Sequence, residues 1–182
     1  MTAVDGMGRS TITIRRIGVD DHSNVRYLHI KAMTAQSIDA LSEAEIVAFV
    51  AFVNSPAYSD CLMAEDVFGA FVDGQLVGTA SWHVNGDDGR TARISSVFVD
   101  PLFGRLGIGG RLLAEVEARA MQSGFSQLGI SATINAVPFF EKLGYREASR
   151  GVKTLGPDCS LPVAFLRKGV TRLVRPIRAP AA

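Results

Sequence analysis

Cysteine is scarce in this chain: among 182 residues only Cys61 and Cys159 carry thiols. Two are too few for a disulfide framework or for a four-ligand zinc site built from cysteine. Each is expected to be a small buried hydrophobe. Long apolar runs are missing as well. No stretch approaches the roughly 18 consecutive apolar residues that suggest a membrane span, and the N-terminal MTAVDGMGRSTITIRR lacks the uninterrupted apolar segment of a signal peptide. The expectation is a cytoplasmic protein with no membrane partner. Nor does one sign of charge dominate. Nineteen Lys and Arg stand against 18 Asp and Glu, a formal net charge of +1, so nothing marks nucleic acid as a partner. What is present is 47% hydrophobic and 20% charged, the balance of a folded chain and not of a disordered one. At this length the default is one domain with a sizeable core.

Residues 11–16 (TITIRR) alternate enough for a first strand. Asp20 or Asp21 can cap a helix through about Ala35, with Val25, Leu28 and Ala32 on one face. A second helix has a clearer start: Ser42 and Glu45 make a capping box, Leu41 and Ile46 a hydrophobic staple, and Ile46, Phe49, Val50 and Val53 the buried stripe. It ends at Asn54-Ser55-Pro56. Two apolar runs then meet at Asp73-Gly74, a dipeptide suited to the positive φ of a tight hairpin. After the polar loop 85–89 a third strand, TARISSVFV, ends at Asp100-Pro101. Together these read as an antiparallel meander.

Ile108, Leu112, Val116 and Ala120 recur at helical spacing with Leu113 beside them, while Glu115, Glu117 and Arg119 are expected to point outward. Gly124 is a natural stop. FSQLGISA is a strand, NAVPFFEKL a short helix with Asn135 at its start and Gly144 just past its end, and closing strands are expected around 145–153 and 161–167. This order predicts an α+β domain, a sandwich of helices around a sheet. The expected division is a flexible leader over 1–9, one domain over 10–168 and a flexible basic tail over 169–182. The terminal stretch from Arg167 holds five of the 19 basic residues, including Arg172, Arg175 and Arg178.

The 18 glycines are unevenly placed: Gly104, Gly107, Gly109 and Gly110 fall within seven residues, between a strand and a helix. Glycine inside a helix costs about 1 kcal/mol relative to alanine, so this cluster needs a compensating reason. Missing Cβ atoms let a ligand approach the backbone, and the first N–H groups of a helix lack partners at its positive end, which suits a pyrophosphate. Arg105 and Arg111 add charge nearby. A Walker A loop is excluded because no Gly-Lys-Ser/Thr follows, and a dinucleotide fingerprint starting at Gly107 would need glycine at 112, which is Leu112.

The segment instead resembles the acyl-CoA-binding loop of the GCN5-related N-acetyltransferases of the small bacterial type. It matches the pattern Val-x-Pro-x-x-Arg-Gly-x-Gly-Ile-Gly-x-x-Leu-Leu at Val99, Pro101, Gly107, Ile108, Gly109, Leu112 and Leu113. It departs at Gly104, where a basic or amide side chain is usual, and Arg105 falls one position later. A second segment, Ala132 through Tyr145, is similar to the other marker, Ala-x-x-Phe-Tyr-x-x-x-Gly-Phe, with Phe140 in place of the tyrosine. The resemblance covers roughly residues 10–168.

The resemblance implies a mixed, mostly antiparallel sheet whose two central strands splay apart, and transfer of an acetyl group from acetyl-CoA to a primary amine in a ternary complex. It places Val97, Phe98 and Val99 against the pantetheine arm, with a backbone N–H near Phe98 or Val99 polarising the thioester carbonyl. Phe98 also reads as one more aromatic of a half-buried strand. Arg105, Leu106, Gly107, Ile108, Gly109, Gly110 and Arg111 would receive the pyrophosphate, and Asn135 and Phe140 would complete the cofactor side. Phe140 has no proton to give the departing thiolate, but a thiol with a pKa near 8.5 is a tolerable leaving group. His83 is the candidate base. Tyr27, His29 and Tyr58 would lie on the acceptor wall, and Tyr145 in the core. No metal is implied. The acceptor is a small molecule or a protein, and the assembly a monomer or homodimer. The other reading from a different class is a non-catalytic acyl-CoA sensor.

Overall fold

The computed structural model describes residues 11–84 and 89–170. The leader, residues 85–88 of the polar loop, and the tail beyond 170, with Arg172, Arg175 and Arg178, lie outside the described residues. The elements are β1 (Ile12–Arg16), α1 (His22–Gln36), α2 (Glu43–Val53), α3 (Pro56–Ala64), β2 (Asp66–Val72), β3 (Gln75–Val84), β4 (Thr91–Val99), α4 (Ile108–Gln122), β5 (Gln127–Ala132), α5 (Val137–Lys142), β6 (Arg146–Gly156) and β7 (Cys159–Gly169). The strands form one sheet in the order β1-β2-β3-β4-β5-β7-β6. All neighbours are antiparallel except β4 and β5, which run parallel because α4 carries the chain across. Among the described residues no single helix is long and apolar enough to cross a membrane.

Local chemistry explains most boundaries. Ser42 accepts from the Glu45 N–H while Glu45 accepts from the Ser42 N–H at 2.7 Å, so the capping box fixes the start of α2. Asp73 and Gly74 take φ of 49° and 81°, the paired positive values of a type I′ turn between β2 and β3. Asp21 begins α1 without capping it by side chain; its carboxylate is taken by the Arg15 guanidinium at 2.7 Å and by the Gly18 N–H. Past Asn54-Ser55 the chain does not enter a loop. Pro56 sits in the first turn of α3, where its missing N–H is no loss, and the helix leaves α2 at 71°.

Helices cover both faces of the sheet. On one, Ile108, Leu112, Leu113, Val116 and Ala120 of α4 pack on Val77, Ala80, Ile94, Leu128 and Ile130. On the other, Val25 and Leu28 of α1, Phe49 and Val53 of α2, and Tyr58 and Leu62 of α3 cover Val67, Phe71, Leu161 and Val163. Three sequence expectations are corrected. Glu117 is buried, not outward, because its carboxylate receives Lys168 Nζ at 2.7 Å and the Tyr145 hydroxyl at 2.9 Å. The last strand, β7, runs from Cys159 to Gly169, past the end expected around residue 167. Cys159 is buried as expected, but Cys61 is exposed.

The feature that shapes the site is a bulge in β4. Thr79 pairs with Phe98 and Ser81 with Ser95, so Ser96 and Val97 together oppose Ala80 alone. Ser96 takes φ 52°, a conformation that non-glycine residues rarely adopt. A buried chain of hydrogen bonds holds it. The Thr79 hydroxyl donates to the Ser96 carbonyl at 2.7 Å, so Thr79 Oγ1 must accept from His29 Nε2, also 2.7 Å away. Nδ1 of the neutral imidazole then accepts from the Tyr58 hydroxyl.

Neutrality of His29 follows from its complete burial, which pushes its pKa down to about 3. The unfolded chain binds that proton near the ordinary value of about 6.5, so stability falls as pH drops from there toward the folded value. The slope from this group alone is up to about 1.4 kcal/mol per pH unit. Urea midpoints followed from about pH 7.5 to about pH 4 should fall more steeply for the wild type than for His29→Gln, which cannot titrate. Equal slopes would contradict the assignment.

Candidate active site

β4 and β5 pair only from Thr91/Gln127 to Ile94/Ile130; beyond that register the bulged strand leaves its neighbour. A cavity of about 390 Å³ fills the opening. Ser95, Ser96, Val97 and Phe98 line it from β4, and Ile130, Ser131 and Ala132 from β5. It extends to Phe49, Phe52 and Tyr58 on the α2–α3 side and to Ala136 and Phe140 on the other. The opening therefore passes between the strands, as the resemblance implies.

On one wall stands a polar cluster that pattern reading only partly found. Glu65, in the short link between α3 and β2, accepts from the Ser81 hydroxyl and, at 3.4 Å, from the Ser96 hydroxyl. Its other oxygen lies 3.5 Å from His83 Nδ1. Ser95 Oγ is 3.0 Å from Ser81 Oγ and 3.5 Å from the same imidazole nitrogen. Burial lowers the His83 pKa; Glu65 opposes that shift, while Lys153 and Arg93 reinforce it. The imidazole is thus neutral at pH 7 and able to take up a proton, with a carboxylate beside it. Tyr58 is the phenol lining this cavity, but its hydroxyl is committed to His29, and burial raises its pKa well above the usual value.

The glycine-rich turn lies beyond the end of β4. Asp100, itself held by Lys31 Nζ at 2.7 Å, accepts from the Leu102 N–H at 3.0 Å and starts the descent from the strand. Arg105 and Gly107 take φ of 64° and 76°, and Gly107 caps α4. Its carbonyl receives the Arg111 N–H at 3.1 Å, so the preceding amides of the first turn have no partner within the helix. The glycines differ in purpose. A Cβ on Gly109 would lie 3.1 Å from the Phe139 ring, so this glycine permits packing of α5 on α4, whereas Gly110 faces open space. Arg105 and Leu106 are exposed at the turn, Ile108 is a core residue, and the Arg111 guanidinium reaches back to the Ile12 carbonyl at 3.3 Å.

Of the residues singled out by sequence, Tyr58, His83, Val97, Phe98 and Phe140 border this cavity. Val99 and Asn135 are joined across it: Gln36 Nε2 donates to the Val99 carbonyl at 3.0 Å, and the Asn135 amide donates to the Gln36 carbonyl. Asn135 does not cap the helix as its position suggested; it sits inside a 3-10 turn that precedes α5. The Phe98 ring lies on the His29 imidazole with centroids 4.2 Å apart, so its side chain is structural while its backbone borders the opening. Tyr145 packs edge-on to Phe140 and is tied to Glu117, as a core aromatic. Tyr27 is exposed and away from the cavity, and His29 is buried beneath its wall. Sequence reading missed Glu65, Lys153 and Gln36. Only the acidic character of Glu65 at the head of an apolar strand could have flagged it.

Many solved structures share this fold, among them the following three. A GCN5-related N-acetyltransferase structure from Rhodopseudomonas palustris superposes with a TM-score of 0.78 at 23% identity, covering 91% of this chain and 99% of that one. PaiA N-acetyltransferase from Thermoplasma acidophilum, solved in complex with coenzyme A, gives 0.65 at 16% identity over 87% and 99%. The ribosomal-protein-S18-alanine N-acetyltransferase from Escherichia coli gives 0.61 at 17% over 93% and 100%. Among curated proteins, no sequence matches this chain. The acetyltransferase (GNAT) domain model matches residues 37–156, from the end of α1 through β6. With well over half of its length accounted for in this way, the chain belongs to the GNAT acetyltransferase family.

Proposed function

We propose that the protein transfers the acetyl group of acetyl-CoA to a primary amine by direct attack within a ternary complex. The observation that supports this most is the cavity itself, which joins the Phe140 side of the sheet to the Glu65–His83 wall through the opening between β4 and β5. The β4 edge from Val97 to the Val99 N–H, which β5 leaves unpaired, suits a pantetheine arm, and the α4 amides from Gly107 to Gly110 suit a pyrophosphate at the positive end of a helix. A bound thioester supplies an activated acyl group, so most of what the chain must add is position and a neutral amine.

In this reading the amine approaches from the α2–α3 side. Neutral His83 takes the proton from the ammonium, directly or through water, and Glu65 stabilises the resulting imidazolium at 3.5 Å. Backbone N–H groups of the splayed strand face the carbonyl oxygen as charge develops on it. Phe140 contributes an apolar wall, and the thiolate takes its proton from solvent.

Four outcomes check this. With acetyl-CoA and a panel of amines, free thiol should appear in a thiol-reagent assay; binding without release on any amine would favour the sensor reading. His83→Ala should lower kcat/KM by about 10²- to 10⁴-fold. The acidic limb of the wild-type profile should fall below the ordinary imidazole value, because burial lowers the His83 pKa, and Glu65→Gln should move it lower still by removing a charge that raises it. A His83→Ala enzyme with an unchanged pH profile would remove His83 as the base. Gly110→Gln, which fills open space over the α4 terminus, should weaken coenzyme A binding by at least about tenfold in calorimetry with an unchanged thermal midpoint. Unaltered affinity would sink the role of the turn.

A further inference from the structure

The acceptor wall holds one cation, Lys153, without an ion-pair partner among the described residues, and a second, Arg93, reaches the wall residue Ser131 from beside it. Lys153 projects from β6 into the cavity, half-buried, and neither hydrogen-bonds nor ion-pairs with any described residue. Arg93, the cross-strand partner of His83 in β4, donates among the described residues only to the neutral Ser131 hydroxyl, at 3.2 Å. Against them stands one carboxylate, Glu65, already engaged by Ser81 and Ser96 and facing His83. Removing an ammonium from water without a partner is costly. Here burial and Arg93 both push the Lys153 pKa down, with Glu65 opposing them. The same cavity also presents apolar surface, Phe52 and Leu155 among it.

We infer that the acceptor is an amino acid with an apolar side chain, its carboxylate held by Lys153 while its amine faces the Glu65–His83 wall. The charges are complementary at both ends: the ammonium group meets the carboxylate and imidazole, and the carboxylate meets the unpaired ammonium. The apolar side chain lies against the aromatic and aliphatic surface of α2 and β6. A polyamine would place a second cation against Lys153 and Arg93, which like-charge repulsion disfavours. This assignment rests on the acetyl-transfer reading of the same cavity. Lys153 acts here as a specificity residue and takes no part in the proton transfer.

The test compares each amino acid with its decarboxylated counterpart: L-leucine with 3-methylbutylamine and L-phenylalanine with 2-phenylethylamine. Thiol release gives kcat/KM for each, and calorimetry on protein saturated with coenzyme A gives their affinities. The wild type should prefer the carboxylate-bearing member of each pair by at least about tenfold. In Lys153→Met that ratio should collapse toward one, and in Lys153→Arg it should largely return. Decarboxylated amines that react or bind as well as the amino acids would overturn the inference, as would a preference that survives in Lys153→Met. The two readings separate cleanly. Lys153-dependent binding of the amino acids with no thiol release sustains the carboxylate site and refutes acetyl transfer to them. Thiol release from amines with no carboxylate preference sustains transfer and refutes the site.

Discussion

The site depends on a single backbone irregularity, the extra residue that Ser96 and Val97 place opposite Ala80. A regular β4 would continue beside β5 past Ile94, and the ladder would close the sheet. With Ser96 at positive φ the strand turns aside, its backbone becomes free for another partner, and a cavity opens where hydrogen bonds would have been. Such strain persists only where its surroundings hold it. Here they consist of a buried chain that begins at Tyr58 on α3, passes through His29 on α1 and Thr79 on β3, and ends at the Ser96 carbonyl. Three elements distant in sequence are thereby committed to one peptide group, and removing any buried member leaves partners unsatisfied at about 1–3 kcal/mol each.

The same bulge couples structure to chemistry. It turns the Ser96 hydroxyl toward Glu65, the carboxylate that faces His83, so the residue that opens the strand also helps hold the acidic side of the site. Beyond the bulge, Asp100 anchors the strand end to α1 through Lys31 and begins the turn that leads to the free amides of α4. One continuous stretch from Ser95 to Gly110 therefore contributes to each part of the site. The charge pattern follows a similar logic. The chain as a whole carries a net charge of +1, but its cations are not evenly spread: Lys153 lines the cavity with Arg93 beside it on Ser131, while Lys168 is neutralised by Glu117.

Much of the frame was legible in the sequence because it is written locally. The capping box at Ser42, the Asp73-Gly74 turn, the periodic stripe of α4 and the glycine cluster before it each have a short-range cause, and the structure shows each in place. What escaped reading depends on tertiary neighbours. Glu117 looked like an outward charge because its helical position ignores Lys168 and Tyr145, which come from strands laid beside α4 only on folding. α3 was hidden because Asn-Ser-Pro reads as a break, and it does break α2, yet Pro56 then opens a new helix. Glu65 and Lys153 are separated by most of the domain and carry no motif. Only the packing of α3 against the sheet, with β6 at its far edge, brings both to one cavity.

The central claim is that the gap beside the bulge receives the thioester arm. Amide hydrogen exchange, followed with and without acetyl-CoA, tests it where it matters. The account predicts that the amides of Val97 and Val99, together with those of Gly107 to Gly110, exchange more slowly once ligand is bound, because the ligand provides partners that the sheet and helix do not. Protection confined to other surfaces, with exchange at Val97 and Val99 unchanged, would contradict it.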